Sequence, residues 1–169
     1  MFFFLRKMQK VNNRGLAKLM FQDVSDDSWD QRNLTKENLD FSLNSLDYMN
    51  QYIDNLLNTK RGQELLDKHF SNFVLRIGAY FGEVVKEHTV NSFHWYEYDT
   101  IFSHTTKLDE YGDQIIDQDV LYDKKREVVI LPLYEVQLFL KGQSRYERLS
   151  LFVEDMIEKY KRNNFHHSP

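Results

Sequence analysis

The sequence predicts an α+β protein in which an N-terminal helical hairpin packs on a small three- or four-stranded antiparallel sheet, followed by two C-terminal helices. Three observations carry that prediction. Apolar residues recur at spacings of three and four from Leu39 to Leu57 and again from Leu65 to Val85, which is the period of helices that bury one face. Past His88 the pattern turns to alternation in stretches rich in aromatic and β-branched residues, as strands are. Pro132 then opens a further apolar helical stretch and Gly142 closes it.

The first element is the least settled. Wound as a helix, residues 1–20 place Phe4, Leu5, Met8, Val11, Leu16 and Leu19 on one side and Arg6, Lys7, Lys10, Arg14 and Lys18 on the other. Asn12-Asn13-Arg14-Gly15 interrupts that helix, so two short helices around a bend fit equally well. Such a segment either docks its apolar stripe on the protein's own core or makes weak contact with an anionic membrane surface. Phe21 to Leu34 has the Asp, Ser and Asn content of a loop.

A helix is expected from Lys36 to Asn58, with Thr35 as N-cap and Leu34 stapled on Leu39. The pattern breaks around Thr59-Lys60-Arg61-Gly62, and a second helix runs to about His88, completing the hairpin. Gly78 and Gly82 lie four residues apart on one face of it. Two interior glycines cost about 2 kcal/mol in helix propensity, and the usual compensation is close approach of a neighbouring chain. Strands are expected in Phe93–Tyr98, Thr100–Phe102, Gln114–Tyr122 and Glu127–Leu131, with a turn at Asp123-Lys124-Lys125-Arg126. The last helix is expected from Arg145 to Arg162. The chain therefore reads as one domain over residues 1–169. Residues 1–34 form the basic segment plus loop, 35–162 the α+β core and 163–169 a flexible tail.

Composition narrows the function classes. There are no cysteines, which removes disulfides, thiolate metal sites and cysteine nucleophiles together and reads most simply as a cytoplasmic protein. The formal net charge is −4 and is unevenly spread. Residues 1–20 carry five bases and no acid, residues 21–58 carry eight acids against two bases, and Asp109 to Asp123 contains six acids and no base. An acidic body argues against nucleic acid as a partner, because that affinity rests on Lys and Arg neutralising phosphates.

Motifs for chemistry are sparse. Neither phosphate-cradling glycine loop is present, nor is G-x-S-x-G, so no catalytic residue and no cofactor is assigned, and an enzyme whose site is assembled from distant residues around Glu83, Tyr80, His94 and His104 stays an alternative. His94 and His104 are expected to face each other across adjacent strands near His88, without a metal-ligand spacing. His166-His167 would hold a metal only adventitiously. Glu83, flanked by apolar residues, is expected to be partly buried against Arg76 or a tyrosine hydroxyl, tying helix to sheet. The stretch from Asp109 lacks the residue order of a calcium loop. Its acids are instead interleaved with aromatic residues, a pattern that steers and anchors a basic protein partner. The candidate partner-binding residues are Trp95, Asp109, Glu110, Tyr111, Asp113, Asp117, Asp119 and Tyr122.

Arg76-Ile77-Gly78-Ala79-Tyr80-Phe81-Gly82-Glu83-Val84-Val85, then Trp95, then Val128 to Val136 with its Pro132, resembles a family of small bacterial domains of unknown function. That family is marked by a G-A-Y-x-G-E helix, a tryptophan strand, and a strand ending at a proline that starts a helix. The resemblance spans roughly residues 40 to 160. It implies helices packed on a small antiparallel sheet and brings no catalytic residues. Proteins of this kind include accessory and immunity-type proteins that neutralise a neighbouring toxin. The acidic insert between Thr105 and Lys125 and the basic N-terminal segment depart from the family pattern, so a specific function is expected there.

Overall fold

The structure, a computed structural model, describes residues 7–89, 92–115 and 117–161. Among these residues there are seven α-helices, one 3-10 helix and a three-stranded antiparallel sheet, so the fold is mixed α and β. The helices are α1 (Arg14–Gln22), α2 (Ser28–Asn33), α3 (Ser45–Asn58), α4 (Lys60–His88), α5 (Tyr98–Phe102), α6 (Pro132–Leu140) and α7 (Leu149–Tyr160). The strands β1 (His94–Glu97), β2 (Asp119–Asp123) and β3 (Val128–Ile130) form a meander in chain order.

Register explains how so small a sheet serves two cores. Trp95 pairs with Leu121 and Leu121 with Ile130, a row that faces the main core beneath α1, α3, α4, α6 and α7. The intervening residues Tyr96, Val120 and Tyr122 point the other way into a second, smaller cluster. Because side chains alternate along a strand, both faces need cover. The helices cover one, and α5 with the 3-10 helix Thr106–Ile115 covers the other through Ile101, Leu108 and Ile115.

Where the structure departs from the sequence reading, long-range bonds decide the outcome. The basic segment is not one amphipathic helix from residue 1, and Phe4 and Leu5 lie outside the described residues. Lys10 instead forms a β-bridge with Tyr96, so residues 9–11 run along the open edge of β1, with Val11 N–H donating to the Trp95 carbonyl at 3.1 Å. Met8 packs into the second cluster, and Val11 and Leu16 pack into the main core. The expected loop after Phe21 contains α2, whose N-cap Asp27 accepts from the Trp29 and Asp30 backbone N–H groups.

The helix expected from Lys36 begins nine residues later, at Ser45 with Asn44 as N-cap. Phe41 occupies left-handed backbone space (φ 64°), which ends any helix from Lys36. It is held there by the Tyr80 hydroxyl, which accepts from Phe41 N–H at 3.2 Å and donates to Ser45 Oγ at 2.7 Å. Thr35 still caps, but only a turn, accepting from Asn38 N–H at 3.2 Å. Leu43, assigned to a buried stripe, is exposed.

α4 matches the expected second helix closely, with Thr59 as N-cap. Its glycines do what the spacing implies. A Cβ on Gly78 would stand 2.8 Å from the Leu133 Cα, and one on Gly82 would overlap the Trp95 ring. α6 thus crosses α4 at Gly78 while β1 lays its tryptophan on Gly82. The Thr100–Phe102 strand is absent because those residues belong to α5, and Gln114–Ile115 belong to the 3-10 helix. The turn after Asp123, and α6 ending at a left-handed Gly142 (φ 69°), are as expected. α7 is shorter than the predicted Arg145–Arg162, beginning at Leu149, and residues 162–169 lie outside the described residues. No described helix is long and apolar enough to cross a membrane.

Candidate functional site

The acidic insert is anchored from below and charged above. Leu108 and Ile115 are fully buried under it, while Asp109, Glu110, Asp113 and Asp117 are exposed. An amphipathic cover of this kind fixes where its carboxylates stand. Tyr98, at the start of α5, ties the insert to the sheet, its hydroxyl donating to the Gly112 carbonyl at 3.2 Å. Burial pushes that hydroxyl above its ordinary value, and the charges of Asp113, Asp99 and Asp109 push it further the same way. The charges of three carboxylates therefore act on one phenol.

Phe102 completes this face. It is 46% exposed, one of two large apolar side chains left open among the described residues, and its ring lies 5.5 Å from that of Tyr98. Among the described residues no Lys or Arg lies within ion-pair distance of Asp109, Asp113 or Asp117.

The eight sequence-predicted residues are only partly brought together. Asp109, Glu110, Asp113 and Asp117 share the exposed insert, and Tyr111 is half-buried with its ring edge-on to Tyr134 at 5.6 Å. Asp119 is partly buried and accepts from Asn13 Nδ2 at 3.0 Å. Burial raises its carboxyl, Asn13 opposes that, and Glu97 adds to it. Trp95 and Tyr122 are not surface anchors. Trp95 lies in the main core, and Tyr122 sits in the second cluster with its ring 6.0 Å from Tyr96. The residues missed from sequence are Tyr98, Asp99 and Phe102. The exposure of Asp99 and Phe102 and the inward turn of Tyr98 depend on α5 being a helix, whereas the aromatic and β-branched residues of this stretch read as strand.

Glu83 is tied down rather than presented. It is 2% exposed and accepts from Trp95 Nε1 at 2.8 Å and from an Arg14 guanidinium nitrogen at 3.0 Å, with Lys86 Nζ at 3.6 Å. Arg14 also pairs with Glu87 and lies over the Phe41 ring at 3.9 Å. The expected link from helix to sheet exists, but Arg76 is not its partner, since Arg76 binds Asp23 at 2.5 Å. A carboxylate receiving an indole and two cations has the geometry of a structural tie.

The expected histidine pair is absent: His94 lies opposite Tyr122 in the ladder, while His104 follows α5 in a turn. No group of three or more potential ligands is assembled among the described residues, and His166-His167 lies outside them. Comparison with known proteins finds no matching family model, no matching curated protein and no matching solved structure.

Proposed function

We propose that this chain is a non-enzymatic protein-interaction domain, of the accessory or immunity type, whose acidic aromatic face binds a basic partner. The observation that carries the reading is Phe102, left open with its ring against Tyr98, a phenol on which the charges of Asp99, Asp109 and Asp113 act. An exposed aromatic ring gives an interface its anchor, and surrounding carboxylates of one sign steer a cationic partner toward it. The resemblance of the Gly78–Glu83 helix to a family of small bacterial domains of unknown function is compatible with this class and names no partner. The alternative of membrane contact through residues 1–20 has less support, because Met8, Val11 and Leu16 turn inward.

The test is affinity capture of the tagged protein from its own cells at low and high salt, run beside Phe102→Ala and an Asp109→Asn, Asp113→Asn, Asp117→Asn triple variant. A stoichiometric partner that is released by salt and lost from both variants supports the reading. Retention of the same proteins by all three refutes this surface.

A further inference from the structure

On the helical side of the sheet, α1 to α4 border a groove with two lobes of about 260 and 500 Å³. Asp30, Tyr52, Phe73 and Arg76 line both lobes, and Trp29 lines the larger. The charges in it are unequally matched. Asp23 is held by Arg76 at 2.5 Å. Asp27 is occupied by Arg61 at 3.1 Å and by the backbone N–H groups at the start of α2. Asp30 receives only the Ser25 hydroxyl, at 2.5 Å, among the described residues. A carboxylate accepts several hydrogen bonds when ionised, so Asp30 retains unused acceptor capacity toward the groove. Burial pushes its carboxyl above the ordinary value against the pull of Ser25, and the neighbouring Asp27 adds to the rise while Arg61, already paired with Asp27, opposes it.

Two further features point to the same place. Tyr52 lines both lobes, and its hydroxyl makes no hydrogen bond among the described residues. α4 also leaves helical geometry at His69 (φ −134°, ψ 27°), on the groove wall and one turn before Phe73. Neither proline nor glycine is there to cause that break, which makes it a feature of how α4 shapes the wall.

We propose that this groove binds a small organic ammonium, with Asp30 as its counter-ion and Trp29, Tyr52 and Phe73 as walls around its apolar body. A half-buried carboxylate with spare acceptor capacity, facing a groove with aromatic walls, suits a charged N–H donor. Aromatic faces attract that same cation, and the surrounding apolar side chains take its hydrocarbon part. An anionic ligand meets Asp23, Asp27 and Asp30 together, with both nearby arginines already paired. The site is independent of the acidic face, which lies beyond the opposite face of the sheet.

The probes are phenethylamine, 2-phenylethanol and phenylacetate, titrated at neutral pH into isotope-labelled full-length protein and followed by backbone amide NMR. Phenethylamine shifts the signals of residues 29, 30, 52 and 73, the alcohol binds about tenfold more weakly, and the acid does not bind. In Asp30→Asn the preference of amine over alcohol disappears. Equal affinity for amine and alcohol overturns the proposal, as does the absence of shifts at those residues with millimolar amine. If Asp30→Asn does not fold, the amine-to-alcohol ratio in the unaltered protein decides the matter.

Discussion

Gly82→Ala tests whether packing or propensity governs the centre of this fold. Propensity alone makes the change favourable by about 1 kcal/mol, since glycine in a helix interior is that much worse than alanine. Packing opposes it, because the new Cβ overlaps the outer ring of Trp95, a fully buried side chain fixed on β1. Overfilling such a site costs about 1–3 kcal/mol. The ring cannot slide away freely, because its Nε1 donates to Glu83, and disturbing a hydrogen bond to a charged group costs about 1.5–3 kcal/mol more. The expected net loss is about 3 kcal/mol, or a Tm lower by about 6–12 °C for a chain of this size.

Gly15→Ala is the control. Its added Cβ meets nothing within 4 Å on α1, so it should leave stability unchanged or raise it by up to about 1 kcal/mol. Calorimetry or urea unfolding of both variants measures the contrast. A double-mutant cycle with Trp95→Phe, which removes the colliding ring, should abolish most of the Gly82→Ala cost. Gly82→Ala unfolding no earlier than Gly15→Ala, or a cost independent of the residue at 95, would refute the argument that the glycine exists to seat the tryptophan.

Two aspartates should respond to pH in opposite senses. Burial pushes the Asp123 carboxyl up, but hydrogen bonds from Ser92 and Arg126 more than offset this and hold it below its ordinary 3.8. It therefore stabilises the fold above that pH and loses the effect as pH falls through its folded value, so Asp123→Asn should cost about 3 kcal/mol at pH 7 and progressively less in acid. Asp30 is raised above 3.8 by burial, so its stabilising effect is full below that value and is lost as pH rises through its folded value, and Asp30→Asn should melt above the parent at pH 7 with the gap closing toward pH 3. Thermal melts across that range check both signs. Leu108→Ala, emptying a fully buried position under the insert, should cost about 2–4 kcal/mol. Hydrogen exchange should then quicken over residues 106–115 while the middle of α4 stays protected.

What the sequence revealed depended on whether the deciding contact was local. The apolar period of α4, its paired glycines and the proline that starts α6 are written in neighbouring residues, and all three were legible. The start of α3 was not, because Leu39 and Leu46 keep a helical spacing across a segment that Phe41 breaks, and what holds Phe41 is a hydroxyl 39 residues away. α5 was misread for the same reason. Thr100 donates to the Glu97 carbonyl at 2.8 Å and accepts from Gln9 N–H at 3.1 Å, so a long-range bond secures a turn that strand propensity does not favour. At the candidate site the acids were legible as charge, while the choice of anchor was not. Trp95 and Tyr122 belong to strands with two covered faces, and nothing in their spacing says that the outer face is covered by the insert itself.

The residues that make the sequence distinctive are the ones that build its scaffold. Gly78 and Gly82 admit α6 and β1, Tyr80 holds the approach to α3, and Glu83 ties α1, α4 and β1 together. A motif whose members are all engaged internally specifies a fold, and folds host many functions. Function is better sought where polar groups lack an internal match, since a group that destabilises the fold without a partner is one that packing alone does not explain. By that criterion Glu83 and Asp123, each held by several donors, belong to the scaffold. Asp30, with a single hydroxyl beside an open aromatic groove, and Asp109 and Asp113, whose charges act on Tyr98 without a cation in ion-pair distance among the described residues, do not. The pH experiment compares one carboxylate of each kind, because Asp123, held by its donors, stabilises the fold when ionised, whereas Asp30, facing the groove, does so when protonated.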